Sequence, residues 1–397
     1  MPFHFDNRYA HNDNTIGNAG FLPEIGLTGT QNNTVSNTHQ EQFSGTIKDI
    51  SGAQNSTLNL GIQLNWTLFD GFQMFVNKKM LRVLEDLGEN GTRLVVEGTV
   101  SDIIMNYYGI LQLKKMVQVM QEAVDLSVQR KRIVAAMLTF GAGSELMLLQ
   151  STVDLNADST RLIREELLLA NALIDLNRVL ATDIHTQWLI SDSIRIKDTL
   201  AFDDILARAI RENATLAAAR LNQELMRLEV KNSQAGRYPE IGLTAGYAYN
   251  TLNSQTGFLK YSQSYGPSYG IILSYELFNG FNLNRTIKNA KLALNAGEIE
   301  TKDAEQELTA TLRKLFNEYL MNLQIIRMQL VNVRLAQENV DIAFEKYKLG
   351  SLDDIGLRET QNKLIDAQSQ LILAQYEAKK AETEIFRLSG YFSQQGP

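Results

Sequence analysis

Pro23-Glu24-Ile25-Gly26-Leu27-Thr28 recurs letter for letter as Pro239-Glu240-Ile241-Gly242-Leu243-Thr244, and Leu68-Phe69-Asp70-Gly71-Phe72 returns as Leu277-Phe278-Asn279-Gly280-Phe281. The chain is an internal tandem. From the second landmark onward the register holds without a gap: Gly71 to Gly280 is 280 − 71 = 209, Gly141 to Gly350 is 350 − 141 = 209, and Arg178 and Arg387 keep the same offset. The Pro-Glu-Ile pair sits at 239 − 23 = 216, so only the segment between the first two landmarks differs, by 7 residues. Repeats this long are not solenoid units; one large structural unit has been duplicated.

Working outward from the first landmark, two segments in each half alternate with period two. Leu58, Leu60, Ile62, Leu64, Trp66 and Leu68 fall on one face of a strand, with Asn59, Gly61, Gln63, Asn65 and Thr67 on the other. Tyr269, Ile271, Leu273, Tyr275 and Leu277 repeat the pattern, and the Pro-Glu-Ile segments are expected to pair with these strands as hairpins. The expected strands cover about 22–30, 58–69, 238–250 and 268–278. Strands of about ten residues with aromatics among their apolar positions suit a membrane barrel. Four strands cannot close one, since about eight are needed, so several chains would have to contribute. The segments 31–57 and 251–267, rich in Asn, Gln, Ser, Thr and Gly, read as long polar loops.

After each Gly corner comes a proline-free stretch, 72–140 and 281–349. As one continuous helix each would reach about 100 Å. Both end in glycine turns, Gly141-Ala142-Gly143-Ser144 and Gly350-Ser351-Leu352-Asp353, where Gly provides a left-handed cap and Ser144 or Asp353 can cap the next helix. On the return, Leu148, Leu155, Leu162, Leu169 and Leu176 fall at strict sevens. Leu357, Leu364, Leu371, Ala378 and Ile385 do so in the second half, with Thr360, Ala367, Ala374, Ala381 and Leu388 at the d positions. A sustained seven-residue period winds helices into a left-handed coiled coil.

The division expected is therefore a first repeat over 1–181 with its helical hairpin at 72–181, and a connector over 182–202. A second repeat over 203–390 holds one helix at 203–236 and a hairpin at 281–389, and a tail follows at 391–397. The connector, with Ile184, Trp188, Leu189, Ile190 and Ile194, is expected to form an equatorial belt. The residues before Asn18 are poorly periodic, so the chain is expected to begin late, lacking a signal peptide and most of one helix.

Composition narrows the function. A formal charge of −7 gives no polybasic surface for nucleic acid. Without cysteine there is no disulfide, thiolate metal site or Cys nucleophile. No apolar run approaches the roughly 18 residues of a transmembrane helix, which leaves strands free to span a bilayer. His4, His11, His39 and His185 are isolated, with no metal-ligand spacing, and neither a nucleophile with its base nor a cofactor motif stands out. An enzyme is not expected, and no cofactor or metal.

From Asn18 to Gly390 the chain resembles the TolC-like outer-membrane efflux family. The resemblance rests on Leu22-Pro23-Glu24-Ile25 and Tyr238-Pro239-Glu240-Ile241, on the corners at Asp70-Gly71 and Asn279-Gly280, and on the tip Gly350-Ser351-Leu352-Asp353, in duplicated order. The chain departs from it at the second corner glycine, which is Phe72 or Phe281 here, and in the missing first helix. The family implies a mainly α homotrimer in the outer membrane of a Gram-negative bacterium. In it four strands per protomer build a twelve-stranded barrel in lipid, continued by an α-helical tunnel through the periplasm. It implies passive exit, with a periplasmic adaptor and an inner-membrane transporter docked at the hairpin tips, which proposes Gly141, Gly143, Ser144, Gly350, Ser351, Leu352 and Asp353 as adaptor contacts. It also implies acid rings past the second tip: Glu359 matches one position and Gly356 occupies the other. Three copies of Glu359 around a narrow axis would repel and raise one another's pKa, making the entrance pH-sensitive. The rival is a coiled-coil filament or surface-layer subunit, which explains the heptads and glycine turns but not the aromatic-faced strands.

Overall fold

The computed structural model describes residues 3–41, 43–190, 193–197, 199–256 and 259–392. Residues 393–397 of the expected tail and Ser191, Asp192 and Asp198 of the expected connector lie outside them. The chain divides into two compact units, 1–91 with 218–301 and 92–217 with 302–397, so each unit draws on both sequence repeats.

The first unit holds one antiparallel sheet in the order β1-β2-β3-β4, built from β1 (Glu24–Glu41), β2 (Ile47–Asp70), β3 (Glu240–Ser254) and β4 (Tyr261–Ser274). β1 and β2, with 18 and 24 residues, are much longer than the expected strands. The polar segments expected as loops are largely strand: β1 pairs with β2 from Glu24↔Asn65 out to Glu41↔Ile47, and β3 with β4 out to Asn253↔Tyr261. Ladder hydrogen bonds come from the backbone, so rows of Thr, Asn and Ser extend a sheet without any apolar pattern. A bulge between Ser36 and Thr38 is held by Asn37, whose Oδ1 accepts from Gly52 N (2.8 Å) and Ser51 Oγ (3.1 Å). A second bulge, between Thr67 and Phe69, puts Phe69 rather than Leu68 opposite Ile241. β4 stops at Ser274, short of the expected 278.

The helices repeat at the sequence offset. α2 (Gln73–Thr139) and α6 (Asn282–Lys348) have 67 residues each, and α3 (Glu145–Val179) and α7 (Asp354–Leu388) have 35 each; every boundary differs by 209 (282 − 73, 348 − 139, 354 − 145, 388 − 179). On α7 the heptad face is buried at Leu357, Leu364, Ala378 and Ile385, with Ala374, Ala381 and Leu388 at d. At the middle level Ile372 is buried and Leu371 only half so, a one-residue drift expected where a 3.6-residue helix carries a 3.5-residue pattern.

The second unit packs these helices in layers. Val134, Ala343, Tyr347 and Leu357 form one layer near the turns, with Met147, Leu148 and Leu352 against it; Val119, Met120 and Ile372 form the next. Tyr319, Ala381 and Ile385 close another, against Ile196 and Leu200 of the connector. Among its described residues the connector has no regular element, and its chemistry is divided. Ile190 is buried with Ile110, Leu111 and Leu176, while Leu189 and Ile184 are exposed. Buried Asn177 ties it down, donating to the Ile184 and Thr186 carbonyls and accepting from Trp188 Nε1 (2.6 Å).

Two helical expectations change. The single helix at 203–236 is two, α4 (Phe202–Glu212) and α5 (Ala214–Ala235), broken at Asn213. Asn213 leaves helical geometry (φ −65°, ψ 123°) because its side chain has better partners: Oδ1 caps Leu216 N at 2.9 Å and Nδ2 donates to the Leu388 carbonyl at 2.9 Å. The poorly periodic start contains a helix after all, Phe3–Asp13, designated α1. Side chains hold its end, since His11 and Asn14 reach Glu85 and Lys78 Nζ donates to the Asn14 carbonyl (2.7 Å).

Candidate functional site

The sheet is a two-faced wall. Cross-strand rows Ile25·Leu64·Ala245·Tyr269 and Leu27·Ile62·Tyr247·Pro267 stack on one face, and Gly26·Gln63·Gly246·Ser268 and Thr30·Asn59·Asn250·Ser264 on the other. The apolar rows lie open, with Leu27 85% and Tyr269 89% exposed. Neutral hydroxyls and amides cover the wet face in these rows, and Glu24 and Glu240 add carboxylates to the same face at the ends of β1 and β3. Among the described residues β1 and β4 each pair on one side only, leaving two free edges of the sheet.

The strand-to-helix corners come from a short run of left-handed residues. Gly71 (φ 70°) is followed by Phe72 (φ 72°), and Gly280 (φ 65°) by Phe281 (φ 62°). A left-handed Phe costs about 1–2 kcal/mol, so its neighbours must supply the difference. Phe72 meets Phe69, Phe75 and Tyr238 at ring separations of 5.2, 6.2 and 6.3 Å, and Phe281 meets Phe278 at 5.4 Å. Asp70 and Asn279 cap the helices that follow: Asp70 Oδ2 accepts from Met74 N (2.7 Å) and Asn279 Oδ1 from Leu283 N (3.4 Å).

At the tips the expected turn residues take the expected roles. Gly141 (φ 77°) and Gly350 (φ 70°) end α2 and α6 in paired backbone bonds, Ala142 N to Met137 O with Gly141 N to Leu138 O, and Ser351 N to Lys346 O with Gly350 N to Tyr347 O. Gly143 is needed for space, because a Cβ there would stand 2.9 Å from Leu138 N. Ser144 caps α3 through Met147 N (3.3 Å) and Asp353 caps α7 through Gly356 N (2.8 Å), while Leu352 turns inward to the tip layer. Gly356 stands where the family resemblance led one to look for an acid. A Cβ there would come 2.9 Å from both Asp353 Oδ1 and Leu352 Cδ1, so the cap and the tucked leucine explain why a glycine occupies it.

Glu359 is exposed and bridges to Lys363 at 2.6 Å. Within the protomer that hydrogen bond and the ammonium charge hold its carboxyl below the usual glutamate range, opposite in direction to mutual repulsion in an acid ring. Beside it, a groove of about 710 Å³ runs between α3 and α7, with Leu146 and Ile355 exposed in its lining and Asp154, Asp353, Asp354 and Glu359 supplying acids.

Beneath the tips lies a polar network that sequence reasoning missed. Arg130, fully buried, bridges to Asp154 and lies 3.0 Å from Asp354, whose Oδ1 also accepts from Tyr347 Oη (3.1 Å). One turn on, buried Asp158 accepts two bonds from Arg358 (2.6 and 2.8 Å) and one from Ser127 (2.6 Å). Burial opposes its ionisation, but the Arg358 and Ser127 bonds outweigh that and hold the carboxyl below its ordinary value. A signal existed: Asp158 lies at the d position between Leu155 and Leu162, where a coiled coil expects an apolar side chain.

An open amphipathic sheet whose corners lead directly into long helical hairpins is the protomer fold of outer-membrane channels. Residues 205–391 match the family model "Outer membrane efflux protein". The chain is 26% identical over 181 residues to the outer membrane protein TolC of Salmonella enteritidis, covering 44% of this chain and 37% of TolC, so it spans little more than a third of that relative's length. It is 21% identical over 402 residues to the proteases secretion protein PrtF of Dickeya chrysanthemi, covering 98% of this chain and 85% of PrtF. Among solved structures, the Campylobacter jejuni CmeC outer membrane channel superposes with a TM-score of 0.80 at 12% identity, over 98% of this chain and 82% of CmeC. The outer membrane protein VceC of Vibrio cholerae gives 0.77 at 14%, over 98% and 92%. The chain is thus similar to outer membrane efflux proteins over residues 205–391 and shares the fold of solved outer-membrane channels over nearly its whole length.

Proposed function

We propose that this chain is the outer-membrane exit duct of a tripartite efflux or type I secretion system, passive toward its cargo. The observation that carries the reading is the two-faced sheet with two free edges. Its greasy face suits lipid, its polar wet face suits a lumen, and its edges suit closure with neighbouring copies into a barrel of twelve strands from three protomers. The corner aromatics Phe72, Tyr238 and Phe281 suit the girdle where such a barrel leaves the membrane. A periplasmic adaptor and an inner-membrane transporter are the partners, meeting the tips at Gly141, Gly143, Ser144, Gly350, Ser351, Leu352 and Asp353 along the acid-bearing groove. Efflux relatives and protease-secretion relatives both support the exit role, and cargo selection then belongs to the transporter.

Protein extracted from outer membranes and added to planar lipid bilayers is expected to give discrete, near-ohmic channels. A protein that dissolves without detergent and gives no conductance overturns the duct. Glu359 is proposed as the entrance acid, partly neutralised by Lys363. Glu359→Gln is expected to change single-channel conductance and weaken block by polyvalent cations; unchanged values would remove Glu359 from the entrance.

A further inference from the structure

Beside Arg358 a cavity of about 260 Å³ opens between α2, α6 and α7. Val119 and Ala123 of α2 and Leu364 and Ile365 of α7 form its apolar walls, and Glu122 and Asp125, both exposed, stand at its rim. Gln361 of α7 lines it too, and is only 2% exposed. That glutamine follows Leu357 by four residues and precedes Leu364 by three, on the buried face of its helix. Among the described residues neither its Oε1 nor its Nε2 has a hydrogen-bond partner. A buried amide without partners is destabilising, so one with open space beside it is where a polar group from outside the chain gains most.

The charges around the cavity call for a cation. Glu122 accepts from Gln118 Nε2 (3.0 Å) and Asp125 from Gln121 Nε2 (3.1 Å), but both donors are neutral, and among the described residues neither carboxylate has an ion-pair partner. Arg358 is the cation of the lining, and Asp158 already takes it with two bonds (2.6 and 2.8 Å). Two negative charges therefore stay uncompensated beside apolar walls and a buried amide. The internal repeat shows that the fold does not demand this set. The images of Glu122 and Asp125 are Val331 and Arg334 (331 − 122 = 334 − 125 = 209), and the image of Gln361 is Thr152 (361 − 152 = 209), whose hydroxyl bonds back to the Leu148 carbonyl at 2.9 Å.

We infer that this cavity binds a small organic ammonium ion that also carries a hydroxyl, in its simplest form an amino alcohol. The ammonium meets Glu122 and Asp125, the carbon chain lies along Val119, Ala123, Leu364 and Ile365, and the hydroxyl donates to Gln361 Oε1 while accepting from Gln361 Nε2. The hydroxyl is required because an ammonium has donors and no acceptor, so by itself it leaves Nε2 unpaired, whereas a hydroxyl is donor and acceptor at once. At about 30 Å³ per water the cavity has room for about eight waters, or for a linear molecule of similar atom count.

The test titrates the native protein in detergent, by saturation-transfer NMR, with the linear amino alcohols from aminopropanol to aminohexanol. At least one is expected to bind saturably. The alkylamine of the same length, which lacks the hydroxyl, and the diol, which lacks the charge, should each bind about tenfold more weakly or worse. Gln361→Met keeps the side-chain length without the amide and should erase the preference over the alkylamine; Glu122→Gln/Asp125→Asn, at exposed positions the fold does not depend on, should erase the preference over the diol. Since Gln361 has no partner to lose, Gln361→Met should also match or exceed the unaltered protein in urea midpoint. A lower midpoint would show the amide already paired and overturn the site. So would a series that binds nowhere, leaving a cavity that holds water only, or a Gln361→Met protein that keeps the full preference. Each of these outcomes leaves the duct standing, because conductance tests that separately.

Discussion

Alanine at position 71 is expected to leave almost no folded protein in the membrane, while alanine at the repeat-related position 280 gives a protein that assembles and conducts. Both glycines are left-handed, at φ 70° and 65°, so both substitutions pay a conformational cost of about 1–2 kcal/mol. The surroundings differ. A Cβ on Gly71 would stand 2.4 Å from the Ala235 carbonyl oxygen and 2.9 Å from Tyr238 Cβ, and the oxygen is backbone that cannot swing aside; around Gly280 the nearest atom is the Asn282 amide nitrogen at 3.8 Å. Displacing the end of α5 and the start of β3 adds several kcal/mol at position 71, of the order of the margin that keeps a domain folded. Asparagine separates the two causes, because it tolerates the left-handed region but still carries a Cβ. Gly280→Asn should therefore come close to the unaltered protein in denaturation midpoint and membrane yield, and Gly71→Asn should fail as Gly71→Ala does. Equal losses at the two corners would mean that conformation alone decides and that the close approach to Ala235 is unimportant.

That asymmetry marks what the sequence could and could not reveal. The duplicated landmarks placed the turns of the two long helical hairpins, since a glycine with left-handed capping bonds ends a helix wherever it stands, and both copies carry it: Gly141 and Gly350 flank turns, and Ser144 and Asp353 restart the chain. Strands were legible only where apolar and polar residues alternate. The outer part of the β1-β2 hairpin reads as loop because its ladder is made by backbone groups and short polar side chains, which leave no periodic trace. Asn213 was illegible for another reason: the partner that pulls it out of helical geometry, the Leu388 carbonyl, lies 175 residues away in sequence. At the candidate site the turn residues were readable because their roles are local. The network of Arg130, Asp158 and Arg358 joins residues as much as 224 apart (354 − 130), and only the misplaced Asp158 in a leucine stripe hinted at it.

Asp158→Leu is expected to destabilise the chain by about 3–5 kcal/mol, because it leaves Arg358 charged in a mostly buried position and Ser127 without its acceptor. The double variant Asp158→Leu/Arg358→Met should recover most of that loss, since filling the site with apolar side chains removes both desolvation costs along with the attraction. Urea midpoints at fixed protein concentration measure both; a single variant within about 1 kcal/mol of the unaltered protein, or a double no better than the single, would sink the assignment of Asp158 and Arg358 as a desolvated pair. Acid provides a second, independent reading. The folded-state pKa of Asp158 is depressed, so its contribution is present above the ordinary aspartate range and is lost as pH falls from about 4 through the folded value. The unaltered protein should therefore lose stability more steeply than the double variant over that window, and the two should run parallel between pH 6 and 8, roughly the range where no aspartate titrates. A buried pair that breaks even against leucine and methionine yet persists in a leucine stripe points to a role in specificity. Asp158 on α3 accepts only when Ser127 of α2 and Arg358 of α7 are both beside it, so the bonds are made in one mutual register of the three helices and are lost on a slip by a turn.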